Sequence, residues 1–291
     1  MHEPAISSVA REAILAWYDA RGRVLPFRGD GDPYAILVSE VMAQQTQISR
    51  VSAHWSAFMA TFPTVARLAT SPTADVLRAW RGLGYNRRAL NLQRAARMIV
   101  SEHGGRIPRD VAALQRLPGV GPYTARAVAA LAFGQAVGPV DTNVRRVLGR
   151  LSGSNRTAVD LQRLADGIVP AERPADWTHA LMDLGATVCR PAAPRCAECP
   201  ASQWCRSLAS RGRPREPRRG RPQPAFASTG RWLRGRILDQ LRDVPDDEWA
   251  AVAGPIGEHS EKVIDRALST MESEGLIERD RADSGRVRLA R

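Results

Sequence analysis

Leu117-Pro118-Gly119-Val120-Gly121-Pro122-Tyr123-Thr124-Ala125 is the stretch that decides the fold. It lies between two segments of helical spacing, expected at about 110–116 and 122–134. Gly119 and Gly121 let the chain turn tightly and bring backbone amides close to a ligand. Amides aimed outward at the start of the following helix suit a phosphate oxygen. A lone Gly-x-Gly reads as a plain helix–helix turn, but the whole nine-residue string is far more specific. Further on comes Val140-Asp141-Thr142-Asn143-Val144-Arg145-Arg146-Val147. Asp141 precedes a helix expected at 141–151, so its bland role is an N-cap. That role is compatible with a chemical one, because a helix N-terminus favours a negative charge.

Working outward, helical spacing also fits about 6–20, 33–42, 48–61, 73–81, 86–103, 157–168 and 174–187. No alternating strand pattern stands out before residue 275, so the first two hundred residues read as all-α. Residues 206 to 223 then change character, with seven arginines, one glutamate and a net charge of +6. This reads as a solvated basic linker, a tether or a phosphate-tracking arm. Residues 226–291 read as a second, small domain. Helices fit Arg231–Arg242, Asp247–Val252 and Glu258–Glu274. Asp283-Ser284-Gly285 joins two short strands as a hairpin. The pattern is winged-helix-like, yet the domain holds 11 basic and 13 acidic residues. A docking or packing role is therefore at least as natural as duplex binding.

The net charge of +12 makes a polyanion such as nucleic acid the natural partner. No apolar run of ~18 residues suggests a membrane helix. The first residues lack a basic segment followed by an apolar one, so a cytoplasmic protein is expected. Of the 42 basic residues only Lys262 is a lysine. Amine chemistry at a side chain would have to use that residue.

Two further groups of residues carry chemistry. Glu40 follows Ala35-Ile36-Leu37-Val38 in an apolar helix. A carboxylate there is paired, protonated or functional, or else lies on a polar edge. The adjoining Gln44 and Gln45 can hydrogen-bond bases. The cysteines Cys189, Cys196, Cys199 and Cys205 follow a C-x6-C-x2-C-x5-C spacing. Four thiolates so close together read as a metal site, and spacing alone leaves zinc and a four-iron cluster open.

Taken together, these strings resemble the adenine DNA glycosylase family, the MutY type of the endonuclease III or helix-hairpin-helix superfamily. The resemblance runs over about residues 10–205. It is carried by LPFR at 25–28, PYAILVSEVMAQQTQ at 33–47, FP at 62–63 and GLGYNRRALNL at 82–92. LPGVGPYTA, VDTNVRRV and MDLGA at 182–186 follow, and then the four cysteines. It implies an all-α helix-hairpin-helix glycosylase fold with an iron–sulfur cluster domain, followed here by the small winged-helix-like α+β domain. The implied division is 1–30 with 136–205 for the cluster domain and 31–135 for a six-helix domain bearing the hairpin. A basic linker at 206–225 and the domain at 226–291 complete it.

The resemblance also implies roles. Glu40 matches the general acid that protonates adenine N7. Asp141 matches the carboxylate that stabilises the sugar cation. Tyr123 lies beside the sugar, where lyase relatives keep a Schiff-base lysine. Asn143 orients the catalytic groups. Gln45 matches the wedge entering the base stack, beside Gln44. Tyr85 matches an aromatic near the base opposite the target. Gly119, Gly121 and Thr124 belong to the backbone clamp. Phe27 and Arg28 line the pocket entrance. The cysteine set matches the ligands of a [4Fe-4S] cluster, which on resemblance answers the zinc question. Three positions depart from the family pattern. Phe27 replaces a tryptophan, and Asn86 replaces a second tyrosine. His179 replaces a Gln or Glu touching adenine; it is either a base contact or a helix-face histidine. A NUDIX-like C-terminal domain is also replaced by the short one.

The expected function is therefore monofunctional removal of adenine mispaired with 8-oxoguanine or guanine in double-stranded DNA. The chain is expected to act as a monomer, associated with the nucleoid. A thymine or uracil mismatch glycosylase is one alternative, which Gln44 and Gln45 disfavour. A non-catalytic iron–sulfur DNA-binding protein is the other, which Glu40 and Asp141 together disfavour.

Overall fold

The computed structural model describes residues 6–29, 31–153, 156–209, 225–252, 254–283 and 285–291. Most of the basic linker, 210–224, lies outside the described residues. The helices in chain order are α1 (Ser8–Arg21), α2 (Pro33–Ala43), α3 (Ile48–Thr61), α4 (Val65–Thr70), α5 (Thr73–Ala79), α6 (Arg87–His103) and α7 (Val111–Arg116). They continue with α8 (Pro122–Phe133), α9 (Thr142–Ser152), α10 (Ala158–Gly167), α11 (Pro174–Asp183), α12 (Arg206–Ala209), α13 (Gly230–Leu241) and α14 (Glu261–Ser273). Three short strands are β1 (Ala250–Ala251), β2 (Ile277–Arg279) and β3 (Arg286–Leu289). Contacts divide the chain into two compact units, one of residues 1–40, 108–116 and 120–219, the other of 41–107, 117–119 and 220–291.

In the first unit, α1, α9, α10 and α11 share one core. Ile14, Val147, Leu148, Trp177 and Leu184 are buried in it. The helices start where short polar side chains can satisfy free amides. Ser7 caps α1, Thr157 caps α10 and Asp141 caps α9. The helix expected to run to 187 instead stops at Asp183 and passes into one π-helical turn, Leu184–Val188. Periodicity cannot distinguish that turn from α-helix. Its wider turn leads directly into Cys189, the first cysteine.

The second unit buries Phe58, Phe62, Leu68, Leu77 and Trp80. Phe58 stacks tilted on Phe62 at 4.9 Å and edge-on to Trp80 at 5.8 Å. The C-terminal segment corrects one expectation. Residues 247–252 are not helical; a turn leads into β1, which pairs with β3. The sheet is antiparallel with order β1-β3-β2. Strands therefore begin at 250, before the expected hairpin. Arg242, only 6% exposed, donates to the Leu77 carbonyl at 2.9 Å and to Asn86 Oδ1 at 2.8 Å. Arg78 pairs with Asp246 at 2.7 Å. The small domain thus packs on α5 and on the turn that leads from it to α6.

Candidate active site

α2 is apolar on nearly every side, with Ala35, Ile36, Leu37, Val38, Val41 and Met42 all buried. Glu40 is its one carboxylate. Its Oε2 is buried and has no hydrogen-bond partner. Burial pushes the Glu40 carboxyl up to about 7. A hydrogen bond with Tyr123 pulls the other way, and the Asp141 charge pushes it further up. Tyr123, at the start of α8, is itself raised well above the usual phenol range, chiefly by burial. Its hydroxyl therefore stays protonated.

Asp141 has a different environment. Its Oδ1 accepts from the Val144 amide at 2.6 Å and its Oδ2 from Asn143 Nδ2 at 3.0 Å. Both oxygens are thus held in place by hydrogen-bond donors. Asn143 is held in turn, since its Oδ1 accepts from Arg146 Nη2 at 2.8 Å. Arg146 also donates to the carbonyls of Gly185 and Cys189, each at 2.7 Å. Gly185 has no side chain for a steric reason. A Cβ there would lie 2.6 Å from the Asn143 Cβ.

Arg28 and His179 occupy the same neighbourhood. Arg28 donates through Nη1 and Nη2 to the two oxygens of Asp183, each at 2.8 Å. Asp183 is fully buried and also takes the Arg23 amide at 2.8 Å and its Nε at 2.7 Å. Burial alone would raise this carboxyl, but the hydrogen bonds from Arg28 and Arg23 outweigh it and hold it below the usual range. His179 is driven down to about 3 by burial and by the Arg28 charge, so it is neutral. Its ring lies 6.2 Å from that of Tyr18. Phe27 is half-buried beside Arg28 in the sequence.

The four cysteines line one apolar cavity with Val147, Leu151, Leu184 and Val188. Among the described residues no set of His, Cys, Asp and Glu gathers closely enough for a single ion. The four thiols share this cavity and are placed to hold a metal group together. Arg150 faces the ring, with Nη1 3.4 Å from Cys189 Sγ. It also donates to the Arg190 and Pro191 carbonyls at 2.8 and 2.9 Å.

In the second unit, Gln45 and Tyr85 are both exposed and both left-handed, with φ of 55° and 46°. Such backbone is uncommon outside glycine and marks a constrained turn. One side chain holds both turns. Arg88 is buried and donates to the carbonyls of Val41, Met42 and Gln44 at 2.9, 2.7 and 2.5 Å. It also reaches Thr46 Oγ1 at 2.9 Å and the Leu83 and Gly84 carbonyls at 3.0 Å. Burial lowers its pKa to about 10, so it stays charged. Gln44 Nε2 donates to the Gly119 carbonyl at 3.2 Å, which sets the hairpin turn beside the glutamines. Gly119 has φ of 79°, and a Cβ there would meet Asn91 Cβ at 2.8 Å. Gly121 caps α8 in extended backbone and is exposed. Thr124 is buried, so the backbone of this turn, rather than its hydroxyl, faces outward.

Glu40, Tyr123, Asp141 and Arg28 are thus brought into mutual electrostatic reach, with Asn143 attached through Asp141 and His179 through Arg28. Arg88, Asp183, Arg146 and Arg150 were not singled out from the sequence. The first three lie inside motif strings, but nothing in their spacing separates them from their neighbours.

A helical hairpin followed by a capped aspartate, with a glutamate of raised pKa in its electrostatic reach, is the pattern of a base-excision glycosylase of the helix-hairpin-helix class. The family model of the HhH-GPD superfamily base excision DNA repair proteins matches residues 38–170. An adenine DNA glycosylase of Mycolicibacterium smegmatis is 42% identical over 97% of both chains. One from Mycobacterium tuberculosis is 43% identical over 82% of both. Among solved structures, a thermostable thymine-DNA glycosylase aligns with a TM-score of 0.66 and 32% identity, over 69% of this chain and 95% of that one. The chain belongs to the adenine DNA glycosylase family. No helix among the described residues is long and apolar enough to cross a membrane.

Proposed function

We propose that this chain is a monofunctional DNA glycosylase that removes adenine mispaired with 8-oxoguanine or guanine from duplex DNA, in base excision repair. One observation carries the chemistry: the Glu40 carboxyl, raised to about 7 by burial, lies within electrostatic reach of Asp141, whose two oxygens are held by the Val144 amide and Asn143. Breaking an N-glycosidic bond needs a proton on the leaving base and a counter-charge for the sugar cation. Glu40, with its carboxyl near 7 and Oε2 unpartnered, gives its proton to adenine N7. The C1′–N9 electron pair leaves with the base. Asp141, fixed by Val144 and Asn143, faces the cation until water adds. Tyr123 keeps its phenol protonated and lends Glu40 a hydrogen bond. Neutral His179 and Arg28 bound the space available to the base.

Adenine must first leave the stack, and a mispaired base does so at least cost. Gln45 fills the gap as the wedge, and Tyr85 props the opposite side. Gly119 and Gly121 present amides to the backbone. Cys189, Cys196, Cys199 and Cys205 hold a [4Fe-4S] cluster, which when bound supplies four metal–thiolate bonds that tie down the 189–205 loop. The protein acts as a monomer in the cytoplasm.

The test is Asp141→Asn. Asparagine caps a helix about as well as aspartate. Base release should therefore vanish while affinity for an adenine-mispaired duplex survives. Loss of both would make Asp141 a structural cap only.

A further inference from the structure

Tyr85 is 38% exposed and held in an unfavourable backbone conformation, φ 46°. From one flank Arg88 fixes it, binding the carbonyls of Leu83 and Gly84 and lying 5.7 Å from the ring. The same guanidinium binds the Gln44 carbonyl, so the Tyr85 ring sits at a fixed place relative to Gln45. From the other flank comes Arg231, in the first turn of α13. Its guanidinium lies 5.0 Å from the Tyr85 ring centroid and hydrogen-bonds Tyr85 Oη through Nη1. It also lies 5.0 Å from the ring of Phe226, which is 56% exposed. No other hydrogen bond engages Arg231 among the described residues. The neighbouring Asn86 is tied to the same domain by buried Arg242. The placement is therefore built in rather than a chance surface contact.

Aromatic rings interleaved with a guanidinium and open in part to solvent are the construction on which single bases stack. When adenine is extruded, its former partner loses both its pair and one stacking neighbour. The small domain has more acidic than basic residues, so it is not a general phosphate-binding surface. Its contribution has to be local.

The geometry points to Tyr85, Arg231 and Phe226 as a stacking platform for the unpaired purine opposite the excised adenine. Two of its three members come from the C-terminal domain. Arg231 determines specificity, because its unused N–H groups donate to the carbonyl oxygens on the edges of an oxidised or normal guanine. The inference rests on the glycosylase reading above and says which strand the second domain reads.

The full chain and its Arg231→Ala, Arg231→Lys and Phe226→Leu variants should be titrated with duplexes holding a stable abasic-site analogue. The base opposite the analogue is 8-oxoguanine, guanine, cytosine or fluorescent 2-aminopurine. Wild-type protein should prefer the purines and quench 2-aminopurine by stacking. Arg231→Ala and Phe226→Leu should each lower the preference for 8-oxoguanine over cytosine by roughly tenfold, the worth of one stacked base, and relieve the quenching. Arg231→Lys, which keeps charge but not the planar fork, should restore little. Unchanged preference would overturn the platform. Equal weakening on all duplexes, restored by lysine, would also overturn it and make Arg231 a phosphate contact. If wild-type protein releases no adenine from any mispair, the glycosylase reading falls and takes the platform with it. Adenine release with selectivity intact in Arg231→Ala sinks the platform alone.

Discussion

In the proposed mechanism Glu40 is the residue on which the chemistry turns, and its stability cost has a definite sign. Its carboxyl is raised from 4.5 in the unfolded chain to about 7 in the fold. Between those values the folded state binds more protons, so stability falls as pH rises through that window. Glu40→Gln removes the charge that burial opposes. At pH 8 it should stabilise the fold by about 1–3 kcal/mol while abolishing base release. Thermal unfolding beside a single-turnover assay checks both, and a variant less stable than wild type would contradict the burial argument. Wild-type release should likewise decline as pH rises through about 7, as the acid loses its proton. Glu40 was readable because a lone carboxylate in an apolar helix is conspicuous. Arg88 was not, because in a chain with 41 arginines an arginine carries no signal of its own. Only the structure reveals that it binds six acceptors.

At the scale of elements, Arg88 links the turn after α2 to the turn before α6. Arg88→Met leaves several buried carbonyls without donors, each costing about 1–3 kcal/mol. We expect a loss of about 2–4 kcal/mol of stability and weaker duplex affinity, as the Gln45 and Tyr85 turns relax. Urea unfolding and duplex titration measure the two effects. Stability within about 0.5 kcal/mol of wild type, the usual surface effect, would show that the turns do not depend on this residue. The long helices were legible from their apolar spacing. The six-residue α4 was not, being too short to show a period. Residues 247–252 read as helix because their local pattern allows it. They form β1 because β3 offers a partner at Val287 and Arg286, some 35 residues away in sequence. Such pairing is invisible to local periodicity. The π-turn at 184–188 is equally hidden, although it sets Cys189 beside Arg146.

For the whole molecule, charge and the scarcity of lysine set the limits. Half of the +12 charge falls in residues 206–223, most of which lie outside the described residues. The other half is partly spent inside the fold, where buried Arg88 and Arg242 and half-buried Arg28 act as hydrogen-bond hubs. The single lysine, Lys262, lies on α14 in the C-terminal domain. Beside Glu40 stands Tyr123, which has no amine. Borohydride should therefore trap little or no covalent enzyme–DNA adduct during turnover, and efficient trapping through a side-chain amine would contradict a monofunctional enzyme. The central claim is adenine removal, and single-turnover base release tests it most directly. Duplexes carrying A:8-oxoguanine, A:G, T:G and U:G pairs should be offered to the full chain. The account predicts free adenine from the first two and no base from the others. Release of thymine or uracil with no release of adenine would contradict it.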